Sequence, residues 1–189
     1  MAVITINEII DLAVMVAAIG FIFKDSFPKV YPKNYEPLQE LRKKSLINTE
    51  FWQAVIAAAP AIVLHEAMHK IAAMAFGMQA TFHAAYTWLG IGVAMKLLHA
   101  PMVFFIPGFV SYSGTASQYV QGIIAFAGPF ANLLLFAFAA VALKRKILPK
   151  HAAALQITKQ INLFLLIFNL IPIEPFDGAQ VLRSIMTVF

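Results

Sequence analysis

Residues 51–76 form an almost unbroken apolar run whose second half contains His65, Glu66 and His69. A run of this length is long enough to cross a bilayer as a helix, since about 20 apolar residues suffice. Within such a helix each ionisable group needs a partner or a task. The five residues His65-Glu66-Ala67-Met68-His69 have the spacing H-E-x-x-H. On a helix, positions i and i+4 share a face, so both imidazoles point the same way, one turn apart. One Zn²⁺ can then take a nitrogen from each at about 2.0–2.1 Å. Glu66 lies beside the open coordination position, where it can accept a proton from water. The plainer alternative is a pair of histidines hydrogen-bonded inside a bundle. The apolar setting favours a metal, which offsets the cost of burying two imidazoles and a carboxylate.

Composition supports a membrane setting. Of 189 residues, 61% are hydrophobic and 12% charged, with a mean hydropathy of +0.78. Soluble chains carry about 45–50% apolar and about 25% charged residues. The fold class expected is an α-helical integral membrane protein, in one domain over residues 1–189. The chain has no cysteine, so disulfides and thiolate ligands are excluded, and a zinc site must use histidine and carboxylate. The net charge of +5 comes from Lys and Arg gathered in loops between apolar segments, as membrane flanks are. There is no phosphate loop and no basic-aromatic interleaving, so no nucleic-acid partner is expected; the lipid bilayer is.

About four transmembrane helices are expected. The first covers about residues 6–23, although Asn7, Glu8 and Asp11 interrupt it. The start has no basic n-region and no cleavage-site pattern, so a removable signal peptide is not expected. Residues 24–50 read as a loop, with Pro28, Pro32, Pro37 and the basic cluster Arg42-Lys43-Lys44, and one short helix near residues 38–44. The second span is 51–76, with a kink expected at Pro60. Polar and apolar residues then alternate over 79–88, and a second β-like stretch covers 103–113, giving a small membrane-associated β segment within 79–113. Gly90 and Gly92 read as breaks in it. Open strand edges cannot face hydrocarbon, so these strands pack at an interface or offer an edge to an incoming peptide. The third span, 121–143, has Gly122 and Gly128 for close helix approach and a buried Asn132 that needs a partner. The fourth, 157–176, is broken by Pro172 and Pro175, as helices that line sites at membrane depth are.

Two histidines leave zinc one protein ligand short of the usual catalytic three. Ala72 and Ala75 stand where the longer metzincin pattern needs Gly and His, which excludes that class. Glu174, Asp177, His83, His99 and His151 remain. If the second and fourth spans start on the same side, His65 lies about 21 Å along from Phe51, and Asp177 about 24 Å beyond Ile161. Asp177 therefore matches in depth, with Glu174 close behind.

His65 to His69, Gly128-Pro129-x-x-Asn132, and Asn169-x-x-Pro172 leading to Asp177-Gly178 are three motifs in order on successive apolar segments. Together they resemble the core motifs of the site-2 protease family, intramembrane zinc metalloproteases that cleave transmembrane substrates. The similarity covers about residues 54–183. It implies one zinc bound by His65, His69 and Asp177, with Glu66 as general base. It further implies that Asn132 and Asn169 steady the substrate or the oxyanion. Met68 and Ala179 stand where the family often has glycine. No added soluble domain is recognisable, so a minimal member is expected.

The activity expected is hydrolysis of a peptide bond in or near the membrane segment of a single-span protein, that is, regulated intramembrane proteolysis by a multi-pass protein of the cell membrane. Loop charges place residues 24–50 and 144–150 in the cytoplasm. The resemblance implies the opposite, because the site lies away from those loops. The rival functions are a membrane metal or ion transporter and a catalytically silent, zinc-braced membrane protein. The polar groups gather at one depth, whereas a transporter needs a polar path.

Overall fold

The computed structural model describes residues 4–25, 49–103 and 105–188. Helix α1 (Ile6–Phe23) is followed by α2 (Thr49–Ala75), strand β1 (Gln79–Ala84), α3 (Tyr86–Leu97), β2 (Gly108–Ser113), α4 (Gln118–Lys144), a 3₁₀ turn (Pro149–His151), α5 (Ala152–Asn169) and α6 (Asp177–Val188). The short helix expected near 38–44 lies outside the described residues. By length and composition, α1, α2 and α4 are apolar enough to cross a membrane.

The segment expected as a fourth span is divided. Helix α5 begins earlier than 157 and ends at Asn169, while residues 170–176 form turns and Asp177 opens a new helix. Pro172 and Pro175 end the helical hydrogen-bond ladder here. Asp177 therefore arrives from the start of α6, and helical rise along a continuous fourth span, expected to bring it level with His65, is not what places it.

Helix α2 is central, packed against α1, α4, α5 and both strands. It continues as a helix through Pro60. Helices α1 and α2 are antiparallel: Gly20 lies against Phe51 and Val55, where a Cβ would come within 2.6 Å of Val55 Cγ2, while Glu8 meets Lys70 at the other end. Met15 and Ile19 of α1, Ala58 and Ile62 of α2, Phe82 and Ala84 of β1 and Leu89 of α3 share one buried cluster. On the other side α4 holds α5 and α6. Gly122 gives the close approach expected of it, since a Cβ there would fall 2.2 Å from Ser184 Oγ on α6.

The β segment is shorter than the alternation suggests. β1 and β2 pair antiparallel from Gln79↔Ser113 to Ala84↔Gly108, but residues 86–88, expected to continue the strand, open α3 instead. Leu89 and Gly92 bury one side of that helix, three residues apart. Gly92, expected as a break, lies inside the helix, because a Cβ there would sit 2.9 Å from Phe105 Cβ and 3.0 Å from Ile22 Cδ1.

The sheet's hydrogen-bond parity follows from its flanks. Ala85 N–H donates to Pro107 O, continuing the register, whereas Phe82 N–H turns away to Glu8 Oε1. In an antiparallel pair, bonded and non-bonded positions alternate. Odd-numbered residues of β1 therefore exchange bonds with β2. On β2 the backbone groups of Gly108, Val110 and Tyr112 are directed away from β1.

Candidate metal centre

His65 and His69 are buried on one face of α2, with their rings edge to face. Their Nδ1 atoms are held from behind. His69 Nδ1–H donates to Ile124 O at 2.7 Å. That partner can only accept, so Nδ1 carries a proton, and in the neutral ring that binds a metal Nε2 presents the lone pair. His65 Nδ1 lies 2.7 Å from Asn132 Oδ1. The Asn132 amide is oriented by its other contacts, because Nδ2 donates to Ala61 O at 3.2 Å and to Asn162 Oδ1 at 2.9 Å. Its Oδ1 is thus the acceptor for His65 Nδ1–H, and His65 Nε2 is likewise free to ligate. Asn162 Nδ2 in turn donates to Thr158 O at 2.8 Å. A hydrogen bond behind each ligating imidazole is the ordinary arrangement at metal sites.

Asp177 closes a triangle in front. His65 Nε2 and His69 Nε2 are 3.0 Å apart, and Asp177 Oδ2 lies 3.1 Å from the first and 3.3 Å from the second. Tetrahedral coordination at about 2.0–2.1 Å puts neighbouring ligand atoms about 3.3 Å apart, so the three atoms fit zinc closely. With both rings neutral, the Nε2 lone pairs facing each other at this distance repel, and a cation between them removes the conflict. Among the described residues these three are the group able to hold a metal ion.

Two glycines make the triangle possible. A Cβ on Gly128 would stand 2.3 Å from His69 Nε2 and 2.6 Å from His65 Nε2. This glycine, expected to serve helix packing, keeps the space beside the nitrogens clear. A Cβ on Gly178 would stand 2.4 Å from Leu170 C and O; the bare backbone lets the start of α6 press against the end of α5 and deliver Asp177. Ala179, in place of a second glycine, is buried without disturbing this.

The other candidates are elsewhere. Glu174 is exposed and ion-paired with Arg183. His83 Nε2 contacts Ser111 Oγ at 2.9 Å, and His99 and His151 are exposed. Asn132 is fully buried with its amide engaged, so it has no donor to offer an oxyanion. Asn169 lines the cavity in front of the metal centre, and its Nδ2 donates to Leu165 O at 3.0 Å. Asn162 was not singled out from the sequence. Its signal was the same as that of Asn132, an amide in an apolar helix.

The cavity has a volume of about 1540 Å³ and reaches His65, Glu66, His69 and Asp177. Its lining includes Gly108, Val110 and Tyr112, the three residues whose backbone groups point away from β1. Burial raises the Tyr112 phenol above its ordinary range, so it stays a neutral donor.

Three membrane-length apolar helices, one of them carrying two histidines that converge with one carboxylate, define a helical membrane-type protein with a candidate metal centre. The description "Peptidase family M50" fits residues 144–189. The chain is also 35% identical over 183 residues to "Putative zinc metalloprotease MJ0611" of Methanocaldococcus jannaschii, covering 94% of this chain and 84% of that protein. No solved structure gives a significant match. The chain belongs to peptidase family M50, the site-2 protease family.

Proposed function

We propose that this chain is an intramembrane zinc metalloendopeptidase of the HExxH type. It holds one zinc and hydrolyses a peptide bond in or near the transmembrane segment of a single-span substrate, as in regulated intramembrane proteolysis, within a multi-pass protein of the cell membrane. The observation that carries this reading is the convergence of His65 Nε2, His69 Nε2 and Asp177 Oδ2 within 3.0–3.3 Å of one another at a cavity that Glu66 also lines. The name of the M50 relative agrees with it.

His65, His69 and Asp177 would hold the metal. The chemistry it supplies when bound is polarisation of the scissile carbonyl and a lowering of the pKa of water to ~7. Glu66 accepts the water proton and passes it to the leaving amine. Asn132 and Ile124 O act behind the imidazoles, fixing their tautomers. Asn169 and the neutral Tyr112 phenol are cavity donors that can meet substrate oxygens. A helical substrate must unwind to expose a carbonyl. The outward backbone groups of Gly108, Val110 and Tyr112 offer an edge for the extended segment that results.

The test is zinc content and cleavage of a model transmembrane peptide, measured together in detergent. Wild type should bind one zinc per chain and cleave, and a chelator should stop cleavage. Glu66→Gln should keep the zinc and lose turnover by at least about 10²-fold. Full cleavage by Glu66→Gln would refute the mechanism.

A further inference from the structure

We propose that Glu8 and Lys70 form the junction that sets the position of the β1–β2 sheet over the metal centre, and so selects which peptide bond of an extended substrate is presented. The proposal rests on the protease reading above and assigns Glu8 as a positioning residue.

Glu8 is a carboxylate in an apolar helix, 5% exposed. Such a group is expensive there unless its bonding is complete. Its Oε2 accepts from Thr5 N–H at 2.8 Å and from Thr5 Oγ1 at 3.1 Å, completing the capping box of α1. Its Oε1 accepts from Lys70 Nζ and from Phe82 N–H, the latter at 2.8 Å. One side chain thus ties together the start of α1, the helix carrying both histidines and the middle of β1. Lys70 follows His69 directly in the chain. Phe82 stands opposite Val110, which lines the cavity and whose backbone groups are directed away from β1. The route from a metal-ligating position to the open strand edge is therefore Lys70, Glu8, Phe82 and Val110.

The same carboxylate determines which edge is open. The outward N–H at the centre of β1 is taken by Glu8, which leaves, among the described residues, the β2 edge to receive a strand. Side chains alternate along a strand, so a substrate held on a displaced or loosened edge is re-presented two residues along, a step of about 6.6–6.8 Å. A junction that positions the sheet is thus read out as the site of cleavage. A junction that only stabilises the fold changes the amount of active protein and leaves the cleaved bond the same.

The experiment uses the full chain in detergent with a model transmembrane peptide, products located by mass spectrometry and zinc counted in parallel. The double variant Glu8→Gln/Lys70→Met removes both charges together and leaves no charge of the pair uncompensated. It should keep its zinc and spread cleavage from one bond to bonds two residues away, with at least about a tenth of the product at new positions. Thr5→Val removes the hydroxyl's bond to the Glu8 carboxylate and the one it accepts from Glu8 N–H, keeps the ion pair, and should give the same spread to a smaller extent. Cleavage confined to the original bond in both variants, whatever the rate, overturns the proposal. Wild type that binds zinc but cleaves nothing would fail the protease reading. The junction is then judged by amide exchange: faster exchange in Thr5→Val at Phe82, whose N–H donates to Glu8, and at Ser111, whose N–H is bonded across to β1, supports sheet positioning, and unchanged exchange removes it.

Discussion

The second half of α2 carries two buried polar clusters that handle charge in opposite ways. On one face, His65 and His69 meet Asp177 and are backed by Asn132 and Asn162. On another, Lys70 meets Glu8, which also accepts from Thr5 and Phe82. The Glu8 cluster contains its own cation. The histidine cluster has two imidazoles whose protons point backwards and a carboxylate in front, so its ligand atoms are all acceptors and an external cation completes it. Unlike charges buried together satisfy each other without a ligand; acceptors buried around one point make a receptor for a metal. Changes at the first cluster should therefore register in zinc binding, and changes at the second in stability and in the choice of cleaved bond, with zinc retained.

The largest expected effect is that of Gly128→Ala. The added Cβ would overlap both Nε2 atoms, so zinc should fall from one per chain to near zero while helix content by circular dichroism is kept. A fully loaded Gly128→Ala protein would show that the nitrogens do not converge beside α4. The contrasting change is Lys70→Met, which leaves Glu8 charged and buried. It should cost about 3–5 kcal/mol of stability, seen as an earlier unfolding transition. Zinc bound before unfolding should not change, and Glu8→Gln added to it should recover much of the loss. Zinc loss in Lys70→Met without a stability change would merge the two clusters into one.

A smaller effect is expected behind the ligands. Asn132→Leu removes the acceptor for His65 Nδ1–H and frees the ring to turn. Loss of such a partner lowers metal affinity by about 10–100-fold, measurable by competition with a chromophoric chelator. An unchanged affinity would mean that packing alone fixes the imidazole.

The difference between the clusters also explains what could be read from the chain. H-E-x-x-H is local, so the helix period alone brings His65 and His69 together. Asp177 was reachable as a candidate through the Asn169-x-x-Pro172 to Asp177-Gly178 motif, although the path by which it arrives, through the start of α6, was not. The Glu8 cluster joins residues 62 and 74 positions apart, and nothing in the spacing of a lone acid in α1 points to a lysine on α2 or to a strand amide. The strand after β1 was misjudged because its alternation continues through Trp88, while the packing of Gly92 against Phe105 and Ile22 stabilises a helix there. Tertiary contact outweighed local pattern at that point.

Asn162 is the finest test of the contrast, because it touches no ligand. It accepts one Asn132 N–H and donates to Thr158 O. Asn162→Ala leaves that N–H without its partner in a buried setting, a loss of about 1–3 kcal/mol. Ala61 O still holds the other direction of the Asn132 amide, so His65 should stay largely in place and zinc affinity should fall only a few-fold, less than in Asn132→Leu. The ordering is the decisive quantity. If Asn162→Ala lowers zinc affinity as much as Asn132→Leu does, the two amides act as one rigid relay and the metal centre extends to α5. If it lowers stability alone, the centre ends at Asn132, and Asn162 belongs with the self-sufficient packing that the Glu8 cluster represents.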